Sequence, residues 1–166
     1  MENKELIEKI RSLEIFFRKQ YELNREREIN SISPYSDEIN KYIRHSEELE
    51  IYKSCNLIET VITRRTLIFP VDINYKYGDI SNLERMLRGE SPHDALNGEV
   101  IELHHIGQQF DSPFAELPRL THCSTKTYRV LHDASIESWR INKRLITLTQ
   151  QESIKYWKIR GEILAG

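Results

Sequence analysis

Apolar residues in the first third of the chain recur at helical spacing. Leu6, Ile10, Leu13, Phe17 and Tyr21 follow one another at steps of three and four, which puts them on one stripe of a charged helix. The pattern predicts a helix over about residues 3–28, with the stripe buried as ordinary core packing. The stretch SISPYSDE interrupts it. Pro34 disfavours helix, Ser36 can cap a new one, and Asp37 and Glu38 suit its first turn. A second helix is predicted from there to about residue 53. Residues 57–69, LIETVITRRTLIF, are apolar and β-branched at both ends around Arg64 and Arg65. Period alone does not separate helix from strand there, and a helix ending near Arg65 is expected. Pro70, Gly78 and the polar YKYGDISN read as a linker. This divides the chain into a helical N-terminal region, residues 1–75, and a second unit, residues 76–166.

In the second unit, NLERMLRGESP predicts a short helix stopped by Gly89 and Pro92. Asn97-Gly98 is a strong turn signal, and a strand is expected after it, over about Val100 to His105. Neighbouring strand residues point to opposite faces, so His104 lies with Val100 and Glu102 while His105 lies with Ile101 and Leu103. The two imidazoles therefore serve different roles. His122 and His132 stand 17 and 27 residues beyond His105, room for a loop, a strand and a helical segment to bring them back to the first strand.

Composition narrows the class. A chain of 166 residues, 39% hydrophobic and 30% charged, suits one compact domain with a helical extension. No window approaches the roughly 18 apolar residues of a membrane helix, and the N-terminus lacks the apolar core of a secretory signal. A cytoplasmic protein with no membrane partner is expected. Cys55 and Cys123 stand far apart with no CxxC spacing, so neither a disulfide framework nor a cysteine zinc knuckle is indicated. The net charge of −2 hides a division. Residues 1–118 carry 15 Lys and Arg against 22 Asp and Glu, net −7, whereas residues 119–166 carry 9 against 4, net +5. A basic C-terminal part permits a phosphate-binding face.

The ordered series in NLERMLRGESPHDALNGEVIELHHIGQQFDSPFAELPRLTHCSTKTYRVLH resembles the LHH group of the HNH/endonuclease VII nuclease superfamily. The likeness lies in the Met-x-x-Gly-x-x-Pro lead-in, LHHIGQ, SPFAEL, the later His and the final LH. The tail ESIKYWKIRGEIL resembles the closing YWK helix of that group. The likeness covers about residues 78 to 166. It implies an α+β protein with a ββα-metal nuclease domain, in which a hairpin and a helix hold one divalent ion, Zn, Ni, Co, Mn or Mg, against a scissile phosphate. By position, His105 is the implied general base, and His104, His122 and His132 the implied metal ligands. The middle position of the HNH pattern is often Asn, so His122 can alternatively orient the His105 loop.

Lys126, Arg129, Arg140, Lys143 and Arg144 are the candidates for contacting phosphates, with DNA the expected substrate and RNA an alternative. Trp139 and Trp157 are assigned to packing, and His45 and His93 to the surface. A chain that begins with Met and carries no delivery region is expected to act as a stand-alone toxin or phage-defence effector with an immunity or defence partner. The competing class is a helical interaction protein with a structural metal site. Metal-dependent cleavage separates the two.

Overall fold

The computed structural model describes residues 2–166, with side chains from residue 4 onward. Helix α1 runs from Glu2 to Ile32. It is followed by a single turn, α2 (Asp37–Asn40), and by α3 (Ser46–Ser54). The predicted second helix is thus two, because the chain is re-capped at His45, whose Nδ1 accepts from the Glu48 amide at 3.2 Å. The predicted helix ending near Arg65 is a hairpin instead: β1 (Ile58–Val61) pairs antiparallel with β2 (Arg65–Ile68). Its density of β-branched residues, which lose rotamer freedom in a helix and pack well on a pleated surface, decides against helix.

The expected linker also has structure. A two-residue hairpin, β3 (Lys76–Tyr77) and β4 (Ile80–Ser81), turns at Gly78 with φ +70°. It leads into α4 (Asn82–Leu87), where Ser81 and Glu84 form a reciprocal capping box. Then β5 (Ile101–His105) pairs antiparallel with β6 (Phe114–Pro118) in full register, with His104 opposite Ala115 and His105 opposite Phe114. Two short helices, α5 (Arg119–Cys123) and α6 (Thr125–Leu131), and the long α7 (Lys143–Ala165) complete the chain.

The main sheet has the order β1-β2-β6-β5, and β2 joins β6 in parallel at Leu67 and Ala115. Because side chains alternate along β6, its two faces close two cores. Ala115 and Leu117 pack with Ile39, Ile43, Leu49 and Tyr52 of the N-terminal region and with Leu131 of α6. Phe114 packs on the opposite face with Ile101, Met86, Tyr156 and Trp157, as packing was expected for Trp157. Glu116 lies on this second face, fully buried, where it accepts from the Tyr156 hydroxyl at 2.6 Å, the Phe69 amide at 2.9 Å and Arg160 Nε at 3.2 Å. Buried residues from both sides of position 75 therefore share one core.

One expectation about α1 is overturned. Leu6, Ile10, Leu13, Phe17 and Tyr21 form the predicted stripe, but all are exposed rather than in the core. The helix reaches the rest of the chain only near its C-terminal end, where Ile29 is buried.

Candidate metal centre and catalytic cavity

Strand β5 aims its last two side chains to opposite faces. The His104 ring turns toward α5 and α6, where it lies 5.1 Å from the His122 ring and 5.2 Å from the His132 ring, centroid to centroid. His122 and His132 are 5.0 Å apart. Each of the three offers a nitrogen within 4.8 Å of the others. The His105 ring turns the other way, edge-on to Phe114 at 4.7 Å and to Trp139 at 5.1 Å. Both rings nonetheless border one cavity of about 490 Å³, lined also by residues 132–140.

Two imidazoles of the cluster are oriented from behind. His122 Nδ1 lies 2.8 Å from Glu102 Oε2, and His132 Nδ1 lies 3.2 Å from the Tyr128 carbonyl. With Nδ1–H donating in both, Nε2 of each turns inward, and that of His122 lies 3.2 Å from His104 Nδ1. His104 Nε2 is buried without a hydrogen-bond partner among the described residues. A buried, unpaired ring nitrogen is costly unless something occupies it. Burial, reinforced by His122 and His132, holds His104 well below its usual pKa. His132 is pushed down to about 4 by burial and then by His122. Burial also lowers His122, outweighing the opposing pull of Glu102. Three neutral imidazoles with nitrogens within 4.8 Å of one another are the form and the donor set that a divalent transition metal takes. The residues present fit such an ion.

Residues 81–162 match the family model described as LHH, a nuclease of the HNH/ENDO VII superfamily with conserved LHH. They belong to the LHH nuclease family. Within the LHH domain the signature triplet is Leu103-His104-His105, the end of β5. A nuclease of this superfamily acts on nucleic acid with a divalent metal. No solved structure matches the chain.

His105 differs from the cluster in its surroundings. Burial, followed by the guanidinium groups of Arg64 and Arg140, pushes it down to about 4, so it is neutral and able to accept a proton at neutral pH. Its Nε2 too is buried and unpaired among the described residues. Trp139, assigned to packing from sequence, is a wall of the cavity, contacting His105 and Phe110 and lying 5.5 Å beneath the Arg140 guanidinium.

Of the five candidate phosphate contacts, Arg140 lines the cavity. Lys126 and Arg129 are exposed on α6, and Lys143 and Arg144 on the first turn of α7. None of the five forms an ion pair among the described residues. Basic side chains beside a helix N-terminus oppose the helix dipole at a cost of about 0.3–1 kcal/mol, so Lys143 and Arg144 add to a positive field that no internal carboxylate neutralises. His45 is the cap of α3, and His93 is half-buried, stacked on Tyr77 at 4.0 Å, rather than free on the surface.

Three supports escaped the sequence reading. Glu48 on α3 is fully buried and accepts from the Gly107 amide at 2.9 Å, fixing the turn that follows His105, and from the Tyr52 hydroxyl at 2.6 Å. Arg44 donates to the Val130 carbonyl at 2.9 Å and faces Asp133 at 3.7 Å, bracing the segment around His132. Gln108 clamps the same segment by accepting from the Asp133 amide at 2.7 Å. Only Glu102 had a visible signal, a carboxylate on the His104 face of an otherwise apolar strand.

Proposed function

We propose that this chain is a metal-dependent endonuclease that hydrolyses phosphodiester bonds in DNA, with His105 as general base and His104, His122 and His132 as the metal ligands. The observation that carries the reading is the cavity lined both by His104 and His132 of the cluster and by the separately buried His105. An ion held by the three imidazoles would supply Lewis-acid stabilisation of charge on the phosphate and on the leaving oxygen. His105 takes one proton from a water molecule, and the water oxygen bonds to phosphorus as the P–O bond to the leaving oxygen breaks. The proton is then released to solvent and the leaving oxygen is protonated. An entering phosphate beside Arg64 and Arg140 offsets their effect and raises the His105 pKa from about 4 toward the range where a base works best.

Arg140 positions the scissile phosphate at the cavity rim. Lys126, Arg129, Lys143 and Arg144 contact flanking phosphates and carry most of the salt dependence. The biological setting proposed is a toxin or phage-defence effector acting in the cytoplasm, restrained by an immunity or defence partner.

His105→Ala is expected to abolish plasmid cleavage while metal affinity stays within about twofold, because a base acts in the chemical step alone. His104→Ala and His132→Ala are expected to lose metal binding by calorimetry and cleavage with it. Wild-type cleavage by His105→Ala sinks the base assignment, and unchanged metal affinity in both ligand variants sinks the nuclease reading. RNA offered in the same assay decides the substrate.

A further inference from the structure

Helix α1 is the least explained part of the molecule. Every side chain from Lys4 to Asn24 is exposed; Tyr21 and Asn24 border a cavity shared with Arg44 and His45, and the helix is held to the rest of the chain at Arg25, which donates to the Lys41 carbonyl, and at Ile29. Twenty-one residues of free-standing helix extend roughly 30 Å at 1.5 Å per residue. In proteins most of a helix's stability comes from packing its apolar face against a partner. This face carries Leu6, Ile7, Ile10, Leu13, Phe16, Phe17 and Tyr21, all exposed.

We propose that α1 pairs in parallel with α1 of a second copy of this chain, forming a short coiled coil. Placing Leu6 at d gives Ile10 at a, Leu13 at d and Phe17 at a, with Gln20 closing the apolar seam at the next d, the alternating four- and three-residue spacing that packs knobs into holes. The flanking positions select the partner and its direction. In a parallel pair each g residue faces the e residue five places later in the other chain. Lys9 at g then meets Glu14 of the second copy, an opposite-charge pair formed twice by symmetry. Phe16 at g meets Tyr21 of the second copy, aromatic against aromatic. At the next a position stands Asn24, a polar residue of the kind that fixes register at some cost in stability.

The area is sufficient. Phe16, Phe17 and Tyr21 are 56%, 65% and 68% exposed. Six such rings from two copies offer on the order of 700 Å², and the aliphatic residues carry the total past the ~1,200 Å² of a specific interface. A lipid surface is a poorer occupant. Residues 4–24 carry five basic and four acidic side chains, so the helix has no strongly basic face for anionic headgroups.

Light scattering coupled to size-exclusion chromatography on the full chain, at micromolar concentration, tests this. The expected mass is that of two 19.8 kDa chains. Ile10→Glu/Leu13→Glu should give a monomer whose remaining cooperative unfolding is retained, since neither residue packs on the rest of the chain. Lys9→Glu should raise the dissociation constant roughly tenfold by turning two attractive pairs repulsive, and Lys9→Glu/Glu14→Lys should restore it. A monomeric wild type overturns the proposal. So does a dimer that survives Ile10→Glu/Leu13→Glu, a double charge variant no tighter than the single one, or a monomer that sediments with vesicles of neutral and anionic phospholipid. The outcome is independent of cleavage, so failure here leaves the nuclease reading standing.

Discussion

The turn after His105 rests on one glycine and one buried carboxylate. Gly107 has φ +66°, and a Cβ there would strike the Tyr42 carbonyl. Gly107→Ala is therefore expected to destabilise the fold by at least ~1–2 kcal/mol from the backbone conformation alone, read as a lower urea midpoint with unchanged slope. Glu48→Gln keeps the size of the side chain but weakens its bond to the Gly107 amide. It is expected to lower cleavage while leaving the affinity of the His104 cluster for metal nearly unchanged, because Glu48 holds the His105 side of the turn. Equal loss of both would show that Glu48 supports the whole fold. Sequence displays the histidine pair because a strand's alternation forces the two rings apart. It hides Glu48, since several carboxylates crowd SEELEIYKS and only tertiary packing decides which one is buried.

At the scale of elements, β5 was readable from its turn and its apolar residues, and the helix after Gly78 from its stop at Gly89 and Pro92. The 57–69 segment was not, because its strands are four residues each and separated by three, too short for period to outvote a helical alternative. What holds that hairpin to the LHH domain is β6, and the anchor of β6 is Glu116. Burial pushes its carboxyl up, against the opposing pull of Arg160. Glu116→Ala removes the partner of a buried Arg160 and is expected to cost about 3–5 kcal/mol, measured by denaturant unfolding. The same logic applies where α7 crosses α4. A Cβ at Gly161 would sit 2.9 Å from the Leu87 amide and 3.0 Å from Met86 Cβ, so Gly161→Ala should cost about 1–3 kcal/mol by forcing these helices apart. At the N-terminal end of α7, reversing Lys143 and Arg144 to Glu should make the slope of log binding constant against log salt about two units less negative while cleavage of bound nucleic acid continues.

For the whole molecule, stability is coupled to the protonation of its buried imidazoles. His105 and His132 are held at about 4, and His104 and His122 below their usual value, against roughly 6.5 in an unfolded chain. Below pH ~6.5 the unfolded state takes up protons that the folded state refuses, so stability is full above that pH and declines as pH falls toward about 4. The metal-free protein should accordingly show a melting temperature that drops between pH 7 and pH 5, most steeply below 6.5. A divalent ion bound to the folded state alone adds ~2.7 kcal/mol at a hundredfold excess over its dissociation constant, or about 5–10 °C for a chain of this length. Chelator should remove that increment at pH 7 and have little left to remove at pH 5, where protons compete for the same nitrogens. His132→Ala should lose the chelator effect and keep part of the pH dependence, because His105 and His104 remain. Scanning calorimetry on both proteins at both pH values checks the argument: a chelator effect that survives His132→Ala would place the ion elsewhere in the molecule.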